Sequence, residues 1–324
     1  MSIPLALVFL VGGIALLGGG ADVLVRGAVT LARAARVPVA VIGLTVVSMG
    51  TSLPELTVTI AAALRGSDDI GLGNVVGSNI FNIGVVLGLS ALIQPMRVHG
   101  TAVKLEWPFM FLASFQLLLL ARDGELDRLE GAFFLVGLIL FTAYVVRLGR
   151  SELKAEESAD LAESVELVEA KSWFHSLGGA ILLVVAGSGI LILGGNLLVT
   201  GAVELARAFG MSERVIGLTI VAAGTSAPEV ATSLLAALRG QNEIALGNVI
   251  GSNIFNVLAI LGVGSVLTPL RVAPELIASD LWWMLGLSLV LFPMMRAGHV
   301  LGRRDGALLF GGYAVYLTLL VVAG

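Results

Sequence analysis

Long apolar stretches recur along the chain, near residues 3–32, 38–65, 70–93, 102–121 and 129–148. After a polar interval five more follow, near 174–206, 212–239, 244–267, 276–296 and 304–323. A helix needs roughly 20 apolar residues to cross a ~30 Å hydrocarbon core. The short alternating segments of a barrel are missing, and an open sheet edge cannot face lipid. The pattern therefore predicts an all-α polytopic membrane protein. The first stretch, "MSIPLALVFLVGGIALLGGG", has no basic leader and reads as a retained membrane helix rather than a cleaved signal.

The two sets align without a gap at an offset of 174 residues (229 − 55 = 174). "GLTVVSMGTSLPE" from Gly43 matches "GLTIVAAGTSAPE" from Gly217, and "IGLGNVVGSNIFN" from Ile70 matches "IALGNVIGSNIFN" from Ile244. This is an internal duplication. Five crossings is an odd number, so the second copy must enter from the opposite side, as in many secondary transporters. The expectation is ten transmembrane helices in two inverted five-helix repeats, residues 1–150 and 173–324, joined by an acidic linker, 151–172. Lys and Arg collect on the cytoplasmic side of membranes. With the N-terminus outside, only Arg65, Arg122, Arg128, Arg207, Arg214 and Arg271 of the 19 basic residues fall on the outer side, leaving 19 − 6 = 13 inside. That orientation puts both termini outside, and the linker in the cytoplasm, of a multi-pass protein of the cell inner (plasma) membrane.

Composition agrees and narrows the chemistry. The chain is 57% hydrophobic and only 13% charged over 324 residues, too little polar surface for a water-soluble fold. It has 41 glycines, suited to close helix contact. It has no cysteine, which removes disulfides, thiolate metal sites and thiol nucleophiles.

Against this background Glu55 and Glu229 stand out. A carboxylate at membrane depth costs several kcal/mol unless it is neutralised, paired or bound to a cation. No basic residue is near either one in sequence; Arg65 and Arg239 lie about 15 Å further along a straight helix. Thr51 and Thr225 share a helix face with these acids, and Ser52 and Ser226 sit beside them. Pro54 and Pro228 remove backbone donors, so carbonyls near Ser48 and Ala222 are expected to turn inward. The second motif adds Ser78 with Asn82 and Ser252 with Asn256, again one helical turn apart. Asn79 and Asn253 point elsewhere and are expected to hold backbone. All these ligands are oxygen, which suits a hard cation such as Ca²⁺ or Na⁺. The three histidines, His99, His175 and His299, lie near loops or helix ends. Asp22 with Arg26 is expected as an interfacial ion pair, and Glu106 and Asp280 as interface anchors, with a place in a vestibule as the alternative.

The duplicated "GTSLPE…GNVVGSNIFN" and "GTSAPE…GNVIGSNIFN" resemble the repeats of the cation/Ca²⁺ exchanger superfamily, in particular the prokaryotic sodium/calcium antiporters. The resemblance spans both halves. It implies that helices 2, 3, 7 and 8 form a midplane site across which helices 1 and 6 slide. Glu55 and Glu229 would be shared Ca²⁺ and Na⁺ ligands. Thr51, Ser52, Ser78, Thr225, Ser226 and Ser252 would supply oxygens to Na⁺, and Asn82 would line the centre. Asn256 stands where some members carry Asp and proton-coupled and some sodium-coupled members carry Asn, which argues against potassium co-transport and leaves the coupling ion open; the family's hydroxyl ligands retained here favour Na⁺ over H⁺. The expected activity is Ca²⁺/Na⁺ antiport by alternating access, with H⁺-coupled Ca²⁺ antiport as the alternative and a cation channel behind both. An enzyme is not expected, nor a cofactor or nucleic-acid partner. The partners are Ca²⁺, Na⁺ and the lipid bilayer, and one chain supplies both acids, so a monomer suffices.

Overall fold

The computed structural model describes residues 2–160, 176–210 and 222–323, which form an all-α polytopic membrane fold. The helices are α1 (Ile3–Ala35), α2 (Val39–Thr51), α3 (Leu53–Leu64), α4 (Asp68–Ile93), α5 (Ala102–Asp123) and α6 (Arg128–Asp160). Then come α7 (Leu177–Ala208), α8 (Ala222–Thr225), α9 (Ala227–Leu238), α10 (Asn242–Leu267), α11 (Leu276–Arg296) and α12 (Arg303–Ala323). Among the described residues seven helices are long and apolar enough to cross a membrane, and α2 with α3, bent by 47°, makes an eighth. Helix α6 runs past Arg150 into the stretch expected to be linker. The rest of that stretch, 161–172, and the start of the segment expected at 212–239 lie outside the described residues.

Apolar side chains face outward as well as filling the core, while the polar groups at membrane depth are kept inside. Val8, Val11 and Ile14 of α1 and Val136, Ile139 and Leu140 of α6 are exposed, while Ser52, Glu55, Asn79, Ser226, Glu229 and Asn253 are buried. Helices α4 and α10, which carry the second motif, are the two most enclosed spans.

Elements recur at the duplication offset: α3 and α9, and π-helical turns at Asn82–Leu87 in α4 and Asn256–Leu261 in α10. Strand β1 (Met96–Arg97) precedes α5 and β2 (Glu125–Leu126) follows it; β3 (Leu270–Arg271) precedes α11 and β4 (Val300–Leu301) follows it. The pairing is crossed and antiparallel, Met96 with Leu301 and Leu126 with Leu270. Because β1 meets β4 at one end and β2 meets β3 at the other, α5 and α11 must run in opposite directions.

Helices α1 and α7 are also antiparallel, in contact along most of their length. Gly13, Gly20 and Gly27 of α1 and Gly187, Gly194 and Gly201 of α7 make the seam. A methyl on Gly187 would sit 2.6 Å from the Leu24 nitrogen, and one on Gly201 2.6 Å from the Ala6 oxygen. Each glycine therefore faces backbone, the arrangement that lets membrane helices pack closely.

Asp22 and Arg26 form the expected pair at 3.0 Å, and Arg239 joins them at Asp22. Glu106 follows the second of its two expectations rather than the first. It is only 6% exposed and lines a cavity of about 570 Å³ with Arg33, Arg36, His99 and Glu243. It closes a π-helical turn, Ala102–Glu106, as Asp280 closes the equivalent turn Leu276–Asp280. Asp280, its counterpart, is half-buried and accepts a hydrogen bond from the Tyr316 hydroxyl at 3.1 Å.

Candidate functional site

Two chain breaks present the acids. Pro54 and Pro228 stand at the second position of α3 and α9, where a missing N–H is tolerated, and the backbone leaves helical geometry at Ser52 (ψ 9°) and Ser226 (ψ 8°). Glu55 and Glu229 follow in the first turn of each helix, each 1% exposed. The helix start favours negative charge, so the local fold offsets part of the cost of burying the acid.

The two breaks meet, and their hydrogen bonds are crossed. The Ser226 hydroxyl donates to Glu55 Oε1 at 3.0 Å, and the Ser52 hydroxyl donates to Glu229 Oε1 at 2.9 Å. Each acid is thus held by the other half of the chain. Ser78 adjoins Ser226, oxygen to oxygen, at 3.3 Å. Among the described residues neither carboxylate has a basic partner, and no three His, Cys, Asp or Glu side chains come together. Any bound cation must therefore complete its shell with neutral oxygens.

Such oxygens are present. Glu55 Oε2, Glu229 Oε2, Asn82 Oδ1, Asn256 Oδ1 and Ser252 Oγ are all buried without a hydrogen-bond partner. A buried polar atom left unpaired costs about 1–3 kcal/mol, more if charged. The Glu and Asn oxygens recur in both halves of the chain, whereas Ser78, the counterpart of Ser252, is taken up by Ser226. A desolvated cation would satisfy them, and their all-oxygen character matches Ca²⁺ or Na⁺.

The remaining expected residues divide. Thr51 is fully buried, its hydroxyl 3.1 Å from Asn248 Oδ1, whereas Thr225 is half-buried. The Ser48 carbonyl is not released inward. It accepts from the Ser52 N–H at 3.0 Å and lies 3.2 Å from the Thr51 hydroxyl, while the Ser48 hydroxyl turns back to Leu44 and Thr45. The reason is register: the carbonyl four residues before Pro54 is that of Gly50, so Ser48 keeps its donor. Ala222 opens the short helix α8, on the equivalent side of the second break.

Several buried amides join the site without standing out in the sequence. Asn248 links Thr51 to the Ser233 hydroxyl, to which it donates at 2.9 Å. Asn74, its counterpart, donates to Thr59 Oγ1 at 3.2 Å and to the Glu55 carbonyl at 3.4 Å. The signal that could find them is the duplication itself: both asparagines occur in the repeated "GNVVG" and "GNVIG". Asn79 and Asn253 do hold backbone, each donating to the other's carbonyl at 3.3 Å, but their side-chain oxygens also receive the amides of Asn256 and Asn82.

The family model described as sodium/calcium exchanger protein matches the chain twice, at residues 5–147 and 179–322. The inner membrane protein YrbG of Escherichia coli is 38% identical over 325 residues, covering 98% of this chain and 97% of that protein. The sodium/calcium exchanger MaX1 of Methanosarcina acetivorans is 32% identical over 336 residues, covering 95% and 96%. A solved structure of the sodium-calcium exchanger NCX_Mj superposes with a TM-score of 0.82 at 32% identity, covering 98% of this chain and 99% of that one.

Proposed function

The chain belongs to the sodium/calcium exchanger family, and on that premise we propose that it is a secondary antiporter exchanging Ca²⁺ for Na⁺ at a site built around Glu55 and Glu229. One observation carries this reading: the crossed Ser226–Glu55 and Ser52–Glu229 bonds, which join an acid from each half in one enclosure with unpaired oxygens around it. Two carboxylates balance one Ca²⁺. Two Na⁺ or two protons restore the same neutrality, and a third Na⁺ makes the cycle electrogenic. Ca²⁺ and the coupling ion compete for the same oxygens, so each expels the other. The empty site carries two bare charges and resists passage through a low-dielectric constriction, which forbids a leak.

On this reading the chain makes ten crossings in two inverted repeats. The bent α2–α3, the segment ending in α9, and α12 supply the three beyond the seven long spans. The antiparallel runs of α5 against α11 and α1 against α7 support it. Helices α1 and α7 move as a glycine-seamed pair across the site. Both termini lie outside, and the cavity beside Arg33, Arg36, Glu106 and Glu243 is the cytoplasmic vestibule.

Purified protein in proteoliposomes decides the coupling ion. Radiolabelled Ca²⁺ uptake is expected under an outward Na⁺ gradient and not under a pH gradient alone. Asn256 is neutral, so the charge of the site rests on two carboxylates that two protons would also neutralise, and the proton-coupled reading is the second arm; uptake driven only by pH would replace Na⁺ with H⁺ in the cycle. Ser226→Ala removes the hydroxyl that donates to Glu55. A hydrogen bond to a charged group is worth about 1.5–3 kcal/mol, so the apparent KM for Ca²⁺ is expected to rise roughly tenfold or more. An unchanged KM would show that the crossed bond does not shape the site.

A further inference from the structure

Four asparagines meet where α4 and α10 cross, and their hydrogen bonds allow only one arrangement. Asn79 Nδ2 donates to the backbone carbonyl of Asn253 at 3.3 Å and faces the Met284 sulfur at 3.6 Å. Asn253 Nδ2 does the same to the Asn79 carbonyl at 3.3 Å and the Met110 sulfur at 3.6 Å. A backbone carbonyl only accepts, so these contacts decide which end of each amide is nitrogen. The Oδ1 atoms of Asn79 and Asn253 must then face the other way, and each needs a donor. Asn256 Nδ2 meets Asn79 Oδ1 at 3.0 Å, and Asn82 Nδ2 meets Asn253 Oδ1 at 3.1 Å. That in turn decides the second pair: Asn82 and Asn256 turn their nitrogens to these oxygens, and their own oxygens are left buried and unpaired. Each lies one helical turn beyond Ser78 or Ser252, at the first residue of a π-helical segment.

We propose that Asn79 and Asn253 are positioning residues, which lock the amides of Asn82 and Asn256 with oxygen toward the cation and nitrogen away from it. This rests on the antiport site proposed above and adds to it. Each lock crosses between the halves, Asn79 to Asn256 and Asn253 to Asn82. The quartet also explains why an amide rather than an acid occupies position 256. A carboxylate there would set an acceptor against Asn79 Oδ1. It would have to hold a proton, or turn the Asn79 amide over and break its bond to the Asn253 carbonyl. The locked amides keep the charge of the site at the two glutamates.

The test is a double-mutant cycle in proteoliposomes, reading KM for Ca²⁺, with thermal melting of each variant followed separately. Asn79→Leu keeps the branched shape of the side chain and removes the lock. Its KM is expected to rise about tenfold, close to the rise for Asn256→Ala, and the double variant is expected to be no worse than Asn256→Ala alone. A merely structural role would lower melting temperature and add to the effect of Asn256→Ala; an additive double variant, or an unchanged KM in Asn79→Leu, overturns the proposal. If Asn79→Leu does not fold, the equivalent cycle of Asn253→Leu with Asn82→Ala decides the question in the same way. Asn256→Asp supplies a second measurement. It replaces the amide by an acid that must stay protonated or break the Asn79 bond, so KM is expected not to fall, and a tighter KM would overturn the lock. Glu55→Gln separates the two levels: wild-type transport in that variant removes the antiport site itself, whereas a dead Glu55→Gln beside an unaffected Asn79→Leu removes only the positioning role.

Discussion

Glu55→Gln is expected to abolish Ca²⁺ uptake, lowering the initial rate at least about a hundredfold, which is roughly 2.7 kcal/mol of transport free energy. Glutamine keeps the shape of the side chain, one carbonyl oxygen, and a partner for the Ser226 hydroxyl, so the fold has no reason to fail. What is lost is one of two charges facing the ion. Ca²⁺ then leaves a net positive charge in a dehydrated enclosure, and the loaded carrier can no longer cross its barrier as a neutral unit. Since the bonds are crossed and equivalent, Glu229→Gln should fall by a similar factor, while Glu125→Gln, on an exposed strand, should transport as the parent does. Measured in the same vesicles, parental uptake by either buried-acid variant would dismantle the site.

Gly13→Val carries the second large effect. A methyl on Gly13 would lie 2.5 Å from the Leu198 nitrogen and 2.8 Å from the Gly194 oxygen, both backbone atoms that cannot step aside. Forcing extra carbons into such a contact costs about 1–3 kcal/mol, enough to part α1 from α7 locally. A lower melting temperature and a drop of about tenfold or more in Ca²⁺ uptake are expected together. The control is the adjacent residue: a methyl on Gly12 meets nothing within 4 Å, because that face looks away from the protein. Helix propensity improves equally at both positions, so the contrast isolates the seam. Gly12→Val and Gly13→Val behaving alike would show that the helices do not depend on this contact.

Much of this protein is legible in one dimension. The apolar runs announce membrane helices because lipid offers no partner for bare backbone, and each helix must satisfy its own. The duplication at 174 residues, and the misplaced acids within it, need no structure to be found, because a charged group in an apolar run is costly wherever it sits in the fold. The break at each proline is also foreseeable, since a missing N–H is local chemistry. Its register is the weaker inference: the Ser48 carbonyl keeps its donor, and the residue that loses one is Gly50.

What the chain does not tell in one dimension concerns pairs. Asn79 reads as a holder of backbone, and it is one; that its oxygen also orients Asn256, 177 residues away, depends on α4 crossing α10. Glu106 and Asp280 read alike, as interface anchors or vestibule residues; their neighbours in space part them, Glu106 lining a cavity and Asp280 meeting the Tyr316 hydroxyl. The glycines of α1 look alike in sequence, yet a methyl on Gly13 would run into α7 and one on Gly12 would meet nothing within 4 Å. Sequence alone determined the solvent, the repeat and the identity of the charged groups, because those follow from the transfer energy of each residue by itself. The tertiary structure alone decided which serine holds which acid and which way each amide points, because a hydrogen bond has direction and needs both its ends in place.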